Sequence, residues 1–288
     1  MNPTVFLGLV THRGSRFPQA AGPHGLVHQV HEGLSKAGIE AAVVIHDADH
    51  HTQDVLPLTN AQVKASIDAE LDLEARWRTY VTPGTSRAAL GSLITVRKAY
   101  RRFRLAPPWH RSTTATEQGA RMLRRLVNIE LAHLHLLQQA RDTQATWALV
   151  VEDDATLTDP AAFDQALAAF IRERQSHAQP SYVNVSRSFS HDRLDLHDHL
   201  TAHGRWNFTT TAMMSDIPLT NTVCAVLYRG AFLEQLVPAL KAIPVSPVLP
   251  IDWKLNAALL SLSETLVIGA GDCWFLDPAP IVQGSMHD

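Results

Sequence analysis

The chain of 288 residues lacks several features that mark whole classes of protein. It has only two cysteines, Cys224 and Cys273, which excludes a disulfide framework and favours a reducing compartment. It has no run of 18 apolar residues, so no membrane-spanning helix is predicted. Residues 1–10 lack a basic segment before their short apolar run, which is typical of a strand and not of a secretion signal. We therefore expect a cytoplasmic protein, with peripheral contact to a membrane left open.

Net charge is also low, at −3, which argues against a nucleic-acid partner. The net charge hides an asymmetry along the chain. Residues 87–125 contain ten Lys and Arg and only one acid, Glu117, and therefore carry a charge of +9. Such a basic segment favours an anionic partner. The cations between residues 86 and 104 alternate with apolar side chains, as in helices that lie on anionic membranes. A solvated helix and a contact to ligand phosphates remain as alternatives.

Short apolar runs alternate with helical periodicity, which indicates an α/β fold. The predicted strands are residues 4–10, 41–45, 147–151, 182–185, 222–228, 266–268 and 274–276. The predicted helices are residues 26–37, 60–80, 86–104, 117–141, 160–175, 230–241 and 252–262. Because the chain opens with strand, helix and strand, we expect one domain over residues 1–288, with a mostly parallel central sheet and helices on both faces.

Two segments interrupt this pattern. Residues 55–115 are predicted to be a basic helical insertion, and residues 186–218 a long polar loop. Seven His and Asp residues fall between positions 191 and 203, a composition typical of metal binding that lacks the fixed spacing of a structural zinc site. A polar loop explains them as well. Residues 277–288 are expected to form an ordered tail or a mobile lid.

An acidic triplet, Glu152-Asp153-Asp154, follows the predicted strand 147–151. Ligands of open α/β sheets bind at the carboxyl ends of strands. Successive residues leave a strand on opposite sides, so Glu152 and Asp154 can share a side and offer hard oxygen ligands to Mg²⁺ or Mn²⁺. A solvated turn that caps the next helix is the alternative.

Four short motifs in the same order surround this triplet. They are a helix with NIELAH at residues 128–133 before the strand WALVVEDD, then TNTVCAVLYRGA at 220–231, PIDW at 250–253 and PAPIVQGS at 278–285. In this order they resemble family 25 glycosyltransferases, which include lipooligosaccharide and collagen galactosyltransferases. The resemblance covers about residues 120–288. Ala132 stands where that family usually has Ser, and residues 55–115 match nothing in it.

The resemblance implies a GT-A fold and transfer of a hexose from a nucleotide-sugar, UDP-galactose or UDP-glucose, to a hydroxyl of a glycan or glycolipid. It implies Mn²⁺ or Mg²⁺ on Glu152 and Asp154, with His287 as a third ligand in the manner of GT-A enzymes. It also implies Asp252 as the base of an inverting reaction. The alternatives are an N-cap role for Asp252 and a frayed terminal position for His287.

Further candidates contact the nucleotide-sugar. Thr11, Arg13 and Arg16 follow the first strand, where Arg matches phosphate oxygens, and Asp47 follows the second, where it suits a ribose or base or simply a surface turn. Asp153 belongs to the triplet. The resemblance places His133 in the donor pocket. Glu130 lies one turn before His133, so the two could instead pair with each other.

Two other functions fit the same residues. One is a metal-dependent phosphohydrolase that uses the acidic triplet and the His- and Asp-rich stretch. The other is a non-catalytic relative that binds a sugar or a nucleotide. Cys224 and Cys273 are expected to pack as small apolar side chains.

Overall fold

The structure is a computed structural model that describes residues 3–12, 15, 17, 22, 24–49, 59–81, 86–106, 117–187, 197–220, 222–243 and 251–284. The strands are β1 Thr4–Thr11, β2 Glu40–Asp47, β3 Trp147–Glu152, β4 Ala155–Leu157, β5 Tyr182–Asn184, β6 Ser186–Arg187, β7 Leu200–Arg205, β8 Thr211–Ser215, β9 Ala225–Arg229, β10 Cys273–Asp277 and β11 Ile281–Gln283. The α-helices are α1 Leu26–Lys36, α2 Asn60–Val81, α3 Arg87–Leu105, α4 Glu117–Asp142, α5 Pro160–Glu173, α6 Gly230–Ala242 and α7 Ile251–Glu264.

The predicted βαβ opening is confirmed. β1 is buried along residues 5–10 and lies between β2 and β3, parallel to both. α1 packs on the sheet through Leu26, Val27, Val30 and Leu34, which are buried and follow helical spacing. Gly38, just after α1, has φ +71°, the left-handed conformation that ends many helices and that favours glycine. The chain then turns directly into β2.

The central sheet has eight strands in the order β2-β1-β3-β9-β5-β10-β8-β7. Three of its neighbouring pairs are parallel and four are antiparallel, so the expected mostly parallel sheet is wrong and the sheet is mixed. The error has a physical cause. A strand buried on both faces is a continuous apolar run whichever way it points, so AVLYR in β9 does not reveal its direction.

Helices cover both faces of this sheet, as predicted. α1 and α5 share one buried core with the sheet, and α4, α6 and α7 share the other. β4, β11 and β6 form a second, three-stranded sheet beside the main one. No helix in the described ranges is long and apolar enough to cross a membrane.

The α2–α3 hairpin has its own small core. Val63, Ile67 and Leu71 of α2 meet Leu90 and Ile94 of α3, and all five are buried. These helices confirm the helical prediction for residues 60–80 and 86–104. The hairpin is therefore held by packing of its own, in addition to the contacts that α2 makes with α4 and α7.

The structure differs from the sequence in two connecting segments. Within the predicted loop 186–218, a 3-10 helix at His197–His199 leads into the antiparallel pair β7–β8. Nearly every β7 side chain is exposed at the sheet edge, so the sequence lacks the alternation that marks a strand. Residues 266–268, predicted as a strand, instead form a turn in which Leu266 has φ +58°. In the predicted tail, residues 281–283 form β11.

Candidate functional site

The carboxyl ends of three parallel strands meet at one edge of the sheet. Thr11 of β1 is in register with Asp47 of β2, and Val10 is in register with Glu152 of β3. Thr11 Oγ1 donates a hydrogen bond of 3.1 Å to Asp153 Oδ2. The sequence predicted Thr11, Asp47 and the triplet as separate candidates. The structure places all of them at the same edge of the sheet. This is where ligands of α/β sheets bind.

Two carboxylates and a thiol converge at this edge. Ligand atoms of Glu152, Asp154 and Cys224 all lie within 4.8 Å of one another, so the prediction that Glu152 and Asp154 share a side is confirmed. Cys224 arrives from the segment before β9, and its carbonyl accepts a hydrogen bond of 2.8 Å from Glu152 N. Glu152 is partly exposed, whereas Asp154 and Cys224 are buried. The group can thus be reached from solvent through Glu152.

The C-terminal strand fixes the position of Asp154. Gln283 Nε2 donates to Asp154 Oδ2 at 3.2 Å, and Gly284 N donates to the Asp154 carbonyl at 2.8 Å. A Cβ on Gly284 would lie 3.2 Å from that carbonyl oxygen and 3.1 Å from the Phe17 ring, so this approach favours glycine. The predicted ligand His287 comes three residues later and lies outside the described residues.

Cys224 lies in surroundings that disfavour its thiolate form. Burial raises the pKa of the thiol well above its usual value, and the nearby Glu152 and Asp154 carboxylates raise it further. The sulfur donates to Asp154 Oδ1 at 3.7 Å, the long distance of a weak S–H hydrogen bond. Its buried position agrees with the expectation of a packed cysteine, but that expectation missed its place beside the carboxylates.

His133 contacts Glu152 from the buried side of the site. Its Nε2 lies 3.1 Å from Glu152 Oε1, and only 1% of the His133 side chain is exposed against 18% for Glu152. Because a carboxylate oxygen only accepts hydrogen bonds, Nε2 carries the hydrogen and donates when Glu152 is ionised. His133 therefore orients the side chain that reaches the solvent. Its predicted contact with a nucleotide-sugar stays a prediction.

Glu130 pairs with Lys254 of α7 and not with His133. The two side chains form a buried ion pair, each 1% exposed. Burial raises the pKa of Glu130, and the hydrogen bond and charge of Lys254 counter that rise. The alternative that Glu130 pairs with His133 is therefore wrong. Each residue instead pairs with another element, Glu130 with Lys254 of α7 and His133 with Glu152 of β3. Sequence reasoning missed Lys254, because a lysine in a helix is usually exposed.

Asp252 lies in the first turn of α7, one residue inside the helix, so it is not the N-cap residue. Its Oδ1 accepts a hydrogen bond of 2.9 Å from Trp253 N. One turn further along, the Asn256 amide accepts from Thr220 N at 2.7 Å and donates to Thr220 O at 3.1 Å. Thr220 begins the segment that leads to Cys224. The start of α7 is thereby tied to the strand end at which Cys224 lies.

The described part of the His- and Asp-rich stretch, residues 197–203, lies away from the acidic triplet. His199 Nδ1 is 2.9 Å from Asp216 Oδ1, and the His203 ring packs 4.6 Å from the Trp274 ring. β7 is the fifth strand beyond β3, which at about 4.8 Å per strand is roughly 24 Å across the sheet. Residues 191–196, Arg13 and Arg16 are outside the described residues, so their predicted roles remain predictions.

A scan of the chain against models of protein families gives no match, and a comparison with curated protein sequences gives none either. The resemblance to family 25 glycosyltransferases therefore continues to depend on the four motifs.

Proposed function

We propose that this protein is a metal-dependent glycosyltransferase with a GT-A type fold, which moves a hexose from a UDP-sugar to a hydroxyl of a glycan or glycolipid with inversion. The observation that carries the proposal is the convergence of Glu152, Asp154 and Cys224 within 4.8 Å at the carboxyl edge of the parallel strands. Thr11 and Asp153, joined by a hydrogen bond, lie beside them. A nucleotide is most often bound at such an edge.

The donor set fits a divalent cation. Glu152 and Asp154 supply carboxylate oxygens, the ligands that suit Mn²⁺ and Mg²⁺, and the buried Cys224 thiol lies beside them as a hydrogen-bond donor to Asp154. His287 lies outside the described residues and stays a candidate third ligand. When bound, the ion would neutralise the charge that develops on the departing nucleoside diphosphate.

The protein groups around the triplet are already oriented by hydrogen bonds. His133 fixes Glu152, Thr11 fixes Asp153, and Gln283 fixes Asp154. Groups held in advance of the reaction cost little reorganisation when charge develops, which is the main source of electrostatic catalysis. Asp47, at the neighbouring strand end, is the candidate contact to the ribose or base.

Asp252 is the candidate proton acceptor. The acceptor hydroxyl attacks the anomeric carbon, the bond from that carbon to the diphosphate oxygen breaks, and the hydroxyl proton passes to the Asp252 carboxylate. Asp252 is only partly buried, so a substrate can reach it, and Asn256 anchors its helix to Thr220. We expect Asp252→Asn to lower kcat by about a hundredfold or more with little change in KM for the UDP-sugar.

The phosphohydrolase alternative has less support. It requires the His- and Asp-rich stretch to work with the triplet, yet His199, at the end of the 3-10 helix, is hydrogen-bonded to Asp216, which follows β8 near the far edge of the sheet. His199→Ala is therefore a useful control, since it alters a polar pair remote from the triplet.

The test measures hydrolysis of UDP-galactose and UDP-glucose by the full chain with Mn²⁺, with Mg²⁺ and with a chelator. We expect slow turnover that needs the metal, a loss of about a hundredfold or more in Asp154→Asn and Glu152→Gln, and no change in His199→Ala. Thermal unfolding without ligand checks that each variant is folded.

Three results would contradict the proposal. They are equal turnover in Asp154→Asn, release of phosphate from simple phosphoesters that depends on His199, and the absence of any stabilisation by a UDP-sugar with Mn²⁺. The second result favours the phosphohydrolase. Stabilisation without turnover, unaffected by Asp252→Asn, favours the non-catalytic binder.

A further inference from the structure

The outer face of α3 exposes an unusual amount of apolar surface. Leu93, Val96, Tyr100 and Phe103 are 49%, 66%, 63% and 58% exposed. They account for half of the eight large hydrophobic residues that are exposed in the described parts of the chain. Single exposed apolar residues are ordinary, but a contiguous group of them marks an interaction surface.

These four residues form one stripe along the helix. Their spacing of three, four and three residues places them on one side of α3. The opposite side is already used, because Leu90, Ile94 and Leu105 are buried against α2. α3 therefore has two apolar faces. One closes the hairpin core, and the other, here called the α3 stripe, faces solvent.

α3 is also strongly basic. It contains six Lys and Arg residues and no acid. Three of the cations are held along its inner flank by acids of α2, in the pairs Arg97–Glu74, Lys98–Asp72 and Arg102–Asp68. Arg104 is exposed and follows Tyr100 by one turn, which places it on the side of the stripe.

We infer that the α3 stripe docks on an anionic lipid surface. Leucine, valine and phenylalanine side chains can enter the acyl boundary, a tyrosine suits the headgroup level, and the basic residues beside them attract anionic headgroups. This combination on one helix is the pattern of an interfacial amphipathic helix. The inference does not depend on glycosyl transfer, since it concerns a surface that contains no residue of the proposed site.

A second copy of the chain fits this surface less well. A two-fold contact through the stripe would bring the exposed Arg104 side chains of two copies close together, and like charges across an interface oppose binding. An anionic bilayer has the opposite sign and needs no shape complementarity. Because α2 packs on α4 and α7, docking through α3 would hold the body of the protein against the bilayer.

Vesicle flotation with the full chain tests the inference. We expect binding to vesicles of phosphatidylcholine mixed with phosphatidylglycerol, much weaker binding to phosphatidylcholine alone, and loss of binding in high salt. The double substitution Tyr100→Ser with Phe103→Ser should weaken the partition coefficient about tenfold or more. Arg104→Glu should weaken it several-fold in the anionic vesicles only.

Phe208 provides the matched control. It is 96% exposed on the turn between β7 and β8, so Phe208→Ser removes an even more accessible aromatic ring from another surface. We expect Phe208→Ser to bind vesicles like the wild type. Thermal unfolding should be alike in all variants because the altered side chains are exposed, and Val96→Ser provides a second, smaller change in the stripe.

The inference would be overturned by a wild type that does not float with anionic vesicles, or by equal binding to both vesicle types. Equal weakening in Phe208→Ser would also overturn it. Sedimentation velocity supplies the last outcome: a dimer that the Tyr100 and Phe103 substitutions dissociate would assign the stripe to a second copy of the chain.

Discussion

Charged side chains join helices at several places in this molecule, and two of these places differ in burial. Between α4 and α7, Glu130 and Lys254 form one pair that is 1% exposed on both sides. Between α2 and α3, the three pairs that include Lys98–Asp72 each keep at least one partner well exposed. The first pair is thus buried on both sides, whereas each of the other three contacts water through at least one partner.

This difference decides what each pair contributes. Removing water from two charges costs several kcal/mol per ion, and the attraction between them offsets that cost only while both partners are present. An exposed pair loses little hydration and gains little, typically about 0 to 1 kcal/mol. The buried pair therefore makes the contact between α4 and α7 conditional on both residues, whereas the exposed Lys98–Asp72 pair of the α2–α3 hairpin can lose either partner at little cost.

The largest effect is expected from Lys254→Met. The change leaves Glu130 buried without its cation, and the free energy of unfolding at pH 7 should fall by about 3 to 5 kcal/mol. Chemical denaturation of the variant and the wild type measures the difference. Adding Glu130→Leu to Lys254→Met should restore most of the loss, because no charge is then buried.

The pH dependence of Lys254→Met sharpens this prediction. Burial raises the pKa of Glu130, and without Lys254 nothing that we describe lowers it. The folded-state pKa then lies above the unfolded value, so stability is greatest below the unfolded pKa and falls as pH rises towards the folded pKa. A loss of 1 kcal/mol or less, or a loss that grows towards acid pH, would contradict the role assigned to the pair.

Asp164 is intermediate in burial between these two groups of ion pairs, and it lies on the face of the sheet opposite to α4 and α7. Burial raises its pKa to about 6, the nearby Lys36 lowers it and Glu32 raises it slightly. Because the folded pKa is raised, Asp164 stabilises the fold least above about pH 6, and stability declines as pH rises from about 4 to 6. Asp164→Asn should remove this decline and add about 1 kcal/mol at pH 7, a figure discounted for partial exposure.

Thermal unfolding from pH 4 to 7 compares Asp164→Asn with the wild type, because the difference between the two curves isolates this residue. Asp198→Asn, which alters an exposed acid of the 3-10 helix, is the control. Parallel curves for Asp164→Asn and the wild type would show that solvent screens Asp164 fully, as it screens surface acids.

The smallest effect is expected from Lys98→Met. Its partner Asp72 remains hydrated, so the free energy of unfolding should change by less than about 1 kcal/mol, and less still in high salt. Denaturation at two salt concentrations checks this. A loss as large as that of Lys254→Met would abolish the distinction between the two regions.

Much of the fold follows from local pattern. The runs that became β1, β2 and β3, and the periodic segment that became α1, are recognisable because their apolar spacing depends only on neighbours in the chain. The edge strand β7 was missed for the converse reason. Nearly all of its side chains are exposed, so no alternation of buried and exposed residues distinguishes its sequence from that of a loop.

The candidate site divides in the same way. The triplet Glu152-Asp153-Asp154 is visible in the sequence because a buried strand ends there, and its side chains leave on alternate sides. The predicted proximity of Glu152 and Asp154 was correct for this reason. Gln283 was noticed as part of a motif, but its hydrogen bond to Asp154 depends on β11 pairing with β4, which the chain separates by more than a hundred residues.

By itself the sequence determined the α/β class, most of the helices and the acidic strand end, because these depend on the side-chain period and on burial within short segments. Only the tertiary structure decided that Cys224 joins Glu152 and Asp154. β9 runs antiparallel to β3, so the start of β9 lies where β3 ends. Strand direction is set by packing across the whole sheet and leaves no trace in an apolar run that is buried on both faces.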